Sequence, residues 1–258
     1  MPRSLLLCLA LAACGTTYAV PEAPMAGPVA QPAAVPRGPA RSARDFRRVA
    51  ARIEPAAEAM CGEQATGVDC DYLIGLETDP RVPPNAFQTL NEQGRPVIIV
   101  SQSLLAEMRS DDEIAFVLAH EASHHIAGHI GRQQQQQALG ALVLGGIVTA
   151  AGQMYGTPAS DDAVRQAMDM GAYVGARAYS QSYELEADTV GAYVAARAGY
   201  DPQAGAAIFG RPALANPGGP AILASHPASA QRQATVARVA ADIRAQAAAG
   251  RVPTPNYR

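Results

Sequence analysis

The chain has 258 residues, of which 48% are hydrophobic and 17% charged, and its formal net charge is −3. That length holds one good-sized domain with extensions. The near-balanced charge excludes a strongly basic nucleic-acid binder or a partner drawn by charge to acidic membranes. There is no lysine, so arginine carries the positive charge.

Taken in order, the chain opens like an export signal. Arg3 supplies the charged start, and Leu5 to Ala13 is an apolar run too short to anchor as a transmembrane helix. It ends Leu11-Ala12-Ala13-Cys14-Gly15, which resembles the lipobox of bacterial lipoproteins. That resemblance implies lipidation of Cys14 and a tethered, exported protein. Gly15 in place of an acidic residue resembles lipoproteins sent on to the outer membrane. Residues 14–44 are rich in Pro, Ala and Gly and read as a flexible tether.

The folded domain is expected over residues 45–248. Phe46, Val49, Ile53 and Ala57 recur at helical spacing, predicting a helix to about Met60. Cys61 and Cys70 flank a short loop, which in an oxidising compartment predicts a disulfide. Residues 72–77 read as a strand. Residues 85–90 and 96–100, joined by Asn91-Glu-Gln-Gly94, read as a hairpin. A short helix over 103–108 leads to the most informative stretch.

Residues 110–129 contain His120-Glu121-Ala-Ser-His124, and four of the five histidines in the chain fall between His120 and His129. Ser110 with Glu113 forms a capping box, and Asp111 and Asp112 suit a first helical turn. Ile114, Phe116, Val117, Leu118 and Ile126 surround the helix with apolar groups and predict burial. Positions i and i+4 share a helix face, so His120 and His124 can present two imidazoles to one Zn²⁺. Glu121, one residue round, can reach a water on the metal without ligating it. His125 and His129 point elsewhere on a regular helix, which leaves them surface or supporting roles.

Downstream, the apolar segment 138–152 is too short for a typical span. It is expected as a buried helix packed on the metal helix, with a mobile flap or a patch dipping into a membrane surface as alternatives. Residues 161–177 and 180–198 read as helices, with Gly199 as a stop. A short helix over 203–209, a loop at 216–220, His226 before a proline and a final Ala/Arg helix over 228–248 follow. Residues 249–258 read as a disordered tail. The sum is an α+β chain, mostly α, with a small β-sheet or hairpin beside the His120 helix.

Two histidines do not complete a catalytic zinc site, which usually takes three protein ligands. Glu184 and Glu186 are candidates for the third, with Asp188 beside them. On a helix Glu184 and Asp188 share a face while Glu186 points away. Glu184 can then ligate the metal while Asp188 accepts a hydrogen bond from a ligating histidine.

His120-Glu121-Ala-Ser-His124, the later His129, and Glu184-x-x-Ala187-Asp188 together resemble the HtpX, BepA and CAAX-prenyl-endopeptidase family of gluzincin zinc endopeptidases. Asn85-Ala86-Phe87, Gly199-Tyr-Asp-Pro202 and Ser225-His226-Pro227 support the resemblance, which covers about residues 45–245 and is nearest to the periplasmic lipoprotein branch. It implies a zincin-like metallopeptidase domain with one zinc per chain, held by His120, His124 and Glu184. It implies Glu121 as general base and Asp188 as the group orienting a ligand. His226 would be either a fourth ligand in a latent state or a donor to the oxyanion. The expected substrates are unfolded polypeptides of the cell envelope, met as a strand against the hairpin. No nucleic-acid partner is expected. The chain departs from membrane-embedded members in having no set of long spans, and it has no clear helical-repeat region after residue 245. A different reading keeps the site but not the cutting: a lipid-anchored chaperone or assembly factor that holds clients. The intact Glu121 speaks against it, because a pure binder needs no base.

Overall fold

A computed structural model describes residues 17–22, 39–178, 180–210, 226 and 230–256. The export run, Cys14, most of the tether and the 216–220 loop lie outside the described residues.

The first helix, α1 (Pro39–Gln64), starts before Asp45 and buries Phe46, Val49, Ile53 and Ala57 on one face, as their spacing predicts, with Met60 continuing it. Cys61 and Cys70 are disulfide-bonded with Cα atoms 5.7 Å apart. The bridge ties the end of α1 to the chain entering the sheet. That sheet has three strands, β1 (Leu73–Glu77), β2 (Ala86–Leu90) and β3 (Pro96–Ser101), in the order β1-β3-β2. β2 and β3 are the expected antiparallel hairpin, turned at Gly94 with φ +83°. β1 joins β3 in parallel, Leu73 opposite Val97. Ile98 and Val100 face the core at period two, while β2 is an edge strand with Phe87 exposed.

After α2 (Gln102–Glu107) comes α3 (Asp111–Ile126), the His120 helix. Ser110 Oγ accepts the Glu113 N–H at 3.2 Å, and the Glu113 carboxylate reaches back to the Arg109 N–H at 2.6 Å. The reciprocal cap satisfies two free donors of the first turn. Nearly every α3 side chain is buried, against α1, β2 and the helices described below. Ile114, Phe116, Val117 and Leu118 each contribute about 1.5–3 kcal/mol by leaving water.

The segment after α3 departs from expectation. It is not a buried helix on α3. It is the middle of a longer helix, α4 (His129–Met154), of which the buried residues are His129, Gln136 and Gly145. α4 turns back at Gly156 and pairs with α5 (Asp161–Ala178) to make a helical hairpin. The reason is the glycine face. A Cβ on Gly171 would run into the Gly140 backbone, so the two helices meet where neither has a side chain. Leu139, Leu142, Val143 and Ile147 are left in solvent. α3, already covered by other elements, has little face left for α4.

The remaining helices close over α3. α6 (Ser180–Arg197) ends as expected at Gly199, φ +83°, with Tyr200 N–H returning to Ala195 O at 3.0 Å. α7 (Pro202–Gly205), capped by Asp201, runs into a 3₁₀ turn, Ala206–Gly210, and α8 (Ala230–Ala248) packs on α6. Residues 251–256, expected as a loose tail, instead run back along the domain. Gly250 (φ +70°) reverses the chain, Gln246 holds Thr254, and Arg197 Nε donates to Pro253 O at 2.8 Å. Part of the expected tether is also held down. Tyr18 is fully buried, and Ala19 N–H donates to Asn256 O at 3.0 Å.

Candidate metal centre

α3 and α6 cross where α6 carries Gly191. A Cβ at Gly191 would sit 3.0 Å from the His120 backbone nitrogen, so the missing side chain sets how closely the two helices approach. One turn or two before Gly191, α6 presents Glu184 and Asp188 to the His120 face. The structure brings His120, His124, Glu184 and His226 together, with one ligand atom from each lying within 4.8 Å of the others.

The spacing within that group has a physical meaning. His120 Nε2 is 3.1 Å from His124 Nε2 and 3.3 Å from His226 Nδ1. Glu184 oxygens lie 3.3 Å from His120 Nε2, 3.5 Å from His124 Nε2 and 2.9 Å from His226 Nδ1. Ligand atoms about 2.0–2.1 Å from a tetrahedral zinc are about 3.3 Å from one another. The donor atoms thus converge to within reach of one metal ion. Charge agrees. Glu121, Glu184 and Asp188 are buried around a single guanidinium, that of Arg232, an acid-rich setting that suits a cation. Glu121 Oε1 is buried without a hydrogen-bond partner among the described residues. His226 Nε2 stands 3.5 Å from it, and a carboxylate oxygen beside convergent donors with no hydrogen bond of its own fits a water held between them.

Two hydrogen-bonded relays stand behind the histidines. In the first, His120 Nδ1 is 2.9 Å from Asp188 Oδ1, and Asp188 takes both Nε and Nη2 of Arg232 at 2.6 Å. This fixes the His120 proton on Nδ1 and leaves Nε2 free for a metal. In the second, His124 Nδ1 is 2.7 Å from His129 Nδ1, and His129 Nε2 donates to Glu186 Oε2 at 3.0 Å. Glu186 also takes Arg132 at 3.0 Å and the Tyr18 N–H at 2.7 Å. Glu186 points away from the donor group, as helical geometry requires, and into this relay. His129 reaches His124 because α3 ends at Ile126 and Gly128 (φ +67°) redirects the chain, so the two are not on one regular helix. His125 stays outside the group and donates from Nε2 to Asp69 O at 2.7 Å.

Protonation follows from these neighbours. Burial disfavours a charged His120, but Asp188 and Glu184 overcome it and hold its pKa up at about 9. His124, buried and beside other histidines, is pushed well below the ordinary value despite Glu184. Burial opposes charge on Glu184, yet His226, Arg232 and His120 keep its carboxyl well below the usual range. Asp188 is likewise lowered against burial, by Arg232 first and His120 next. The carboxylates that hold a second proton on His120 while staying anionic themselves are the groups that would hold a cation in its place.

Arg232 is the residue that sequence reasoning missed. It is 1% exposed, its guanidinium stacks 3.7 Å from the Phe209 ring centroid, and Nη1 lies 3.2 Å from Glu184. A signal existed. Arg232, Val236, Val239 and Ile243 recur on one buried face of α8, and an arginine in an apolar stripe calls for a buried partner.

A cleft of about 320 Å³ opens onto the group, lined by Phe87 and Gln88 of β2, by Glu121, His124 and His129, and by Tyr183 and Glu184. The β2 edge therefore borders the site.

Residues 44–240 match the family model described as peptidase family M48. The chain belongs to peptidase family M48. Family members are metal-dependent, and the His120, His124, Glu184 and His226 group lies inside the matched region. The mostly helical domain with its three-stranded sheet is the zincin-like fold expected of such a chain. The beta-barrel assembly-enhancing protease of Yersinia pestis is 32% identical over 108 residues, 42% of this chain and 22% of that protein. The mitochondrial metalloendopeptidase OMA1 of Saccharomyces cerevisiae is 32% identical over 168 residues, 62% of this chain and 45% of that one. Its Arabidopsis thaliana namesake is 31% identical over 171 residues, 62% of this chain and 32% of that one. The chain spans less than half the length of each of these relatives.

Proposed function

We propose that this M48 chain is a zinc-dependent endopeptidase of the bacterial cell envelope that hydrolyses peptide bonds in unfolded or misassembled proteins. The observation that carries the reading is the buried Glu121 carboxylate beside four convergent metal-binding donors. His120, His124 and Glu184 are the residues that hold the metal, and zinc is the ion that a two-imidazole, one-carboxylate set favours. When bound, zinc lowers the pKa of a water and polarises the scissile carbonyl. Glu121 takes the proton from the attacking water through Oε1 and hands it to the leaving amine. Asp188, held by Arg232, keeps the His120 tautomer through both steps, and His129 with Glu186 does the same for His124. An extended substrate adds along the free edge of β2, with Phe87 and Gln88 at its side. Strand addition needs an unfolded segment, which favours unfolded clients. His226 is a fourth donor that closes the set at rest, and off the metal it can donate to the oxyanion.

The envelope assignment is supported by the Leu5–Ala13 run, by Cys14 in its lipobox-like setting and by a disulfide suited to an oxidising compartment. We assign Cys14 as the lipidated residue, facing the periplasm from the outer membrane. The name of the Yersinia pestis relative accords with that compartment.

The test is metal content and cleavage of unfolded casein by the full chain. One zinc per chain, cleavage abolished by a chelator, and a Glu121→Gln variant that keeps zinc but loses about 10²–10⁴-fold in rate are expected. His226→Ala is expected to raise activity. Stoichiometric zinc with no cleavage, and equal client binding by wild type and Glu121→Gln, would instead establish the lipid-anchored chaperone.

A further inference from the structure

We propose that the α4–α5 hairpin lies in the surface of a lipid bilayer, through the exposed apolar residues of its two helices. Residues 133–160 carry no charged side chain. α4 is long and apolar enough to cross a membrane, yet it is not a core helix. Leu142 is 66% exposed and Ile147 57%, with Leu139 and Val143 exposed beside them. On α5, Met170 and Val174 are exposed at 57% and 52%. Gly171 packs on Gly140, and Met168 on Gly145, so the two helices meet along a small-residue seam and leave these apolar side chains outward. α5 carries Asp161, Asp162, Arg165, Asp169 and Arg177. Those charges exclude the hairpin from crossing a bilayer, but they suit a pair lying in the interface with one face down.

The choice of lipid over a second protein rests on where the N-terminal chain leaves the domain. Thr17 and Tyr18 donate their N–H groups to Glu186, whose other oxygen takes His129 and Arg132 of the first turn of α4. The chain therefore departs one side chain away from the hairpin base. Cys14, three residues earlier, can be no more than about 10 Å from Thr17. The hairpin reading rests on the envelope assignment made above. With an acyl group on Cys14, the anchor enters the bilayer at the end of the domain from which the apolar hairpin projects. The hairpin would add a protein contact beside the acyl chains and fix how the domain faces the bilayer. The active-site end of α4 is then held at the membrane surface by a short leash.

The chain contains no tryptophan, so one introduced Trp reports its own surroundings. Leu142→Trp and Ile147→Trp sit on the patch, and Val68→Trp, also at an exposed position, is the control. Each full-length variant is mixed with vesicles of phosphatidylethanolamine and phosphatidylglycerol, with and without bromine on the acyl chains. Emission from Leu142→Trp and Ile147→Trp is expected to fall by about half with brominated lipid, consistent with burial 5–10 Å into the interface, while Val68→Trp is unchanged. A chain that floats with vesicles while all three Trp stay unquenched overturns the hairpin and leaves the anchor standing. No flotation overturns both. A blue shift without vesicles that rises with protein concentration and with dimer mass, or one produced by unfolded casein, assigns the face to a second copy or to substrate and overturns the lipid proposal. No readout depends on hydrolysis, so failure here is separate from failure of the peptidase reading.

Discussion

Removing the Arg232 guanidinium is expected to cost more than any other single change outside the donor group. Arg232→Met keeps most of the stem that packs on Phe209 but leaves Asp188, fully buried, with His120 as its remaining charged neighbour among those described. Two hydrogen bonds of 2.6 Å and a buried ion pair vanish together. Breaking a buried pair from one side costs about 3–5 kcal/mol, because the surviving charge keeps its desolvation penalty. Asp188→Asn alone should cost less, and the double variant Asp188→Asn with Arg232→Met should recover part of the loss. Urea melts followed by circular dichroism measure the cycle, with a coupling of about 1–3 kcal/mol expected. Arg232→Lys keeps the charge but cannot make the two-pronged contact, and should fall between wild type and Arg232→Met. A loss under about 1 kcal/mol for Arg232→Met, or additive single variants, would refute the pairing argument.

Further outcomes follow from other contacts. Gly191→Val should push α6 from α3, costing about 1–3 kcal/mol in a melt and weakening metal retention, because a Cβ there meets the His120 backbone at 3.0 Å. An unchanged melting temperature would remove Gly191 as the spacer. Reducing the Cys61–Cys70 bridge, which closes a loop of sequence separation 9, should cost about 2.5 kcal/mol of stability by loop entropy, read as a lower urea midpoint. Chelation should lower the melting temperature of the full chain, since four convergent donors, three of them buried, would lose a cation bound between them. A chelator without effect on melting would show that the donor group holds no structural share of the metal energy.

What could be read before any coordinates was mostly local. Ser110 and Glu113 mark a helix start because a capping box is a contact across three residues. His120 and His124 share a face because a helix turns every 3.6 residues. The β2–β3 hairpin, the Gly199 stop and the Cys61–Cys70 bridge obey rules of similar reach. The apolar run at 138–152 was misjudged because hydropathy reports that a helix avoids water and not what covers it. The seam depends on Gly140 meeting Gly171, a pairing across a turn that periodicity does not encode. The tail was misjudged for the same reason, since its order rests on Arg197 and Gln246.

The sequence by itself determined the chemistry on offer: two imidazoles one helical turn apart, a carboxylate beside them, and an acidic pair at i and i+4 downstream. Spacing of this kind is set by backbone geometry and survives without a fold. Only the tertiary structure decided what Glu186, on the far face from Glu184 and Asp188, would meet. It turned His129 into a partner of His124 at the Gly128 bend, and it buried Arg232 against Asp188 across 44 residues. Those outcomes depend on how closely α3, α6 and α8 pack, and packing is decided by the whole set of side chains at once rather than by any stretch alone.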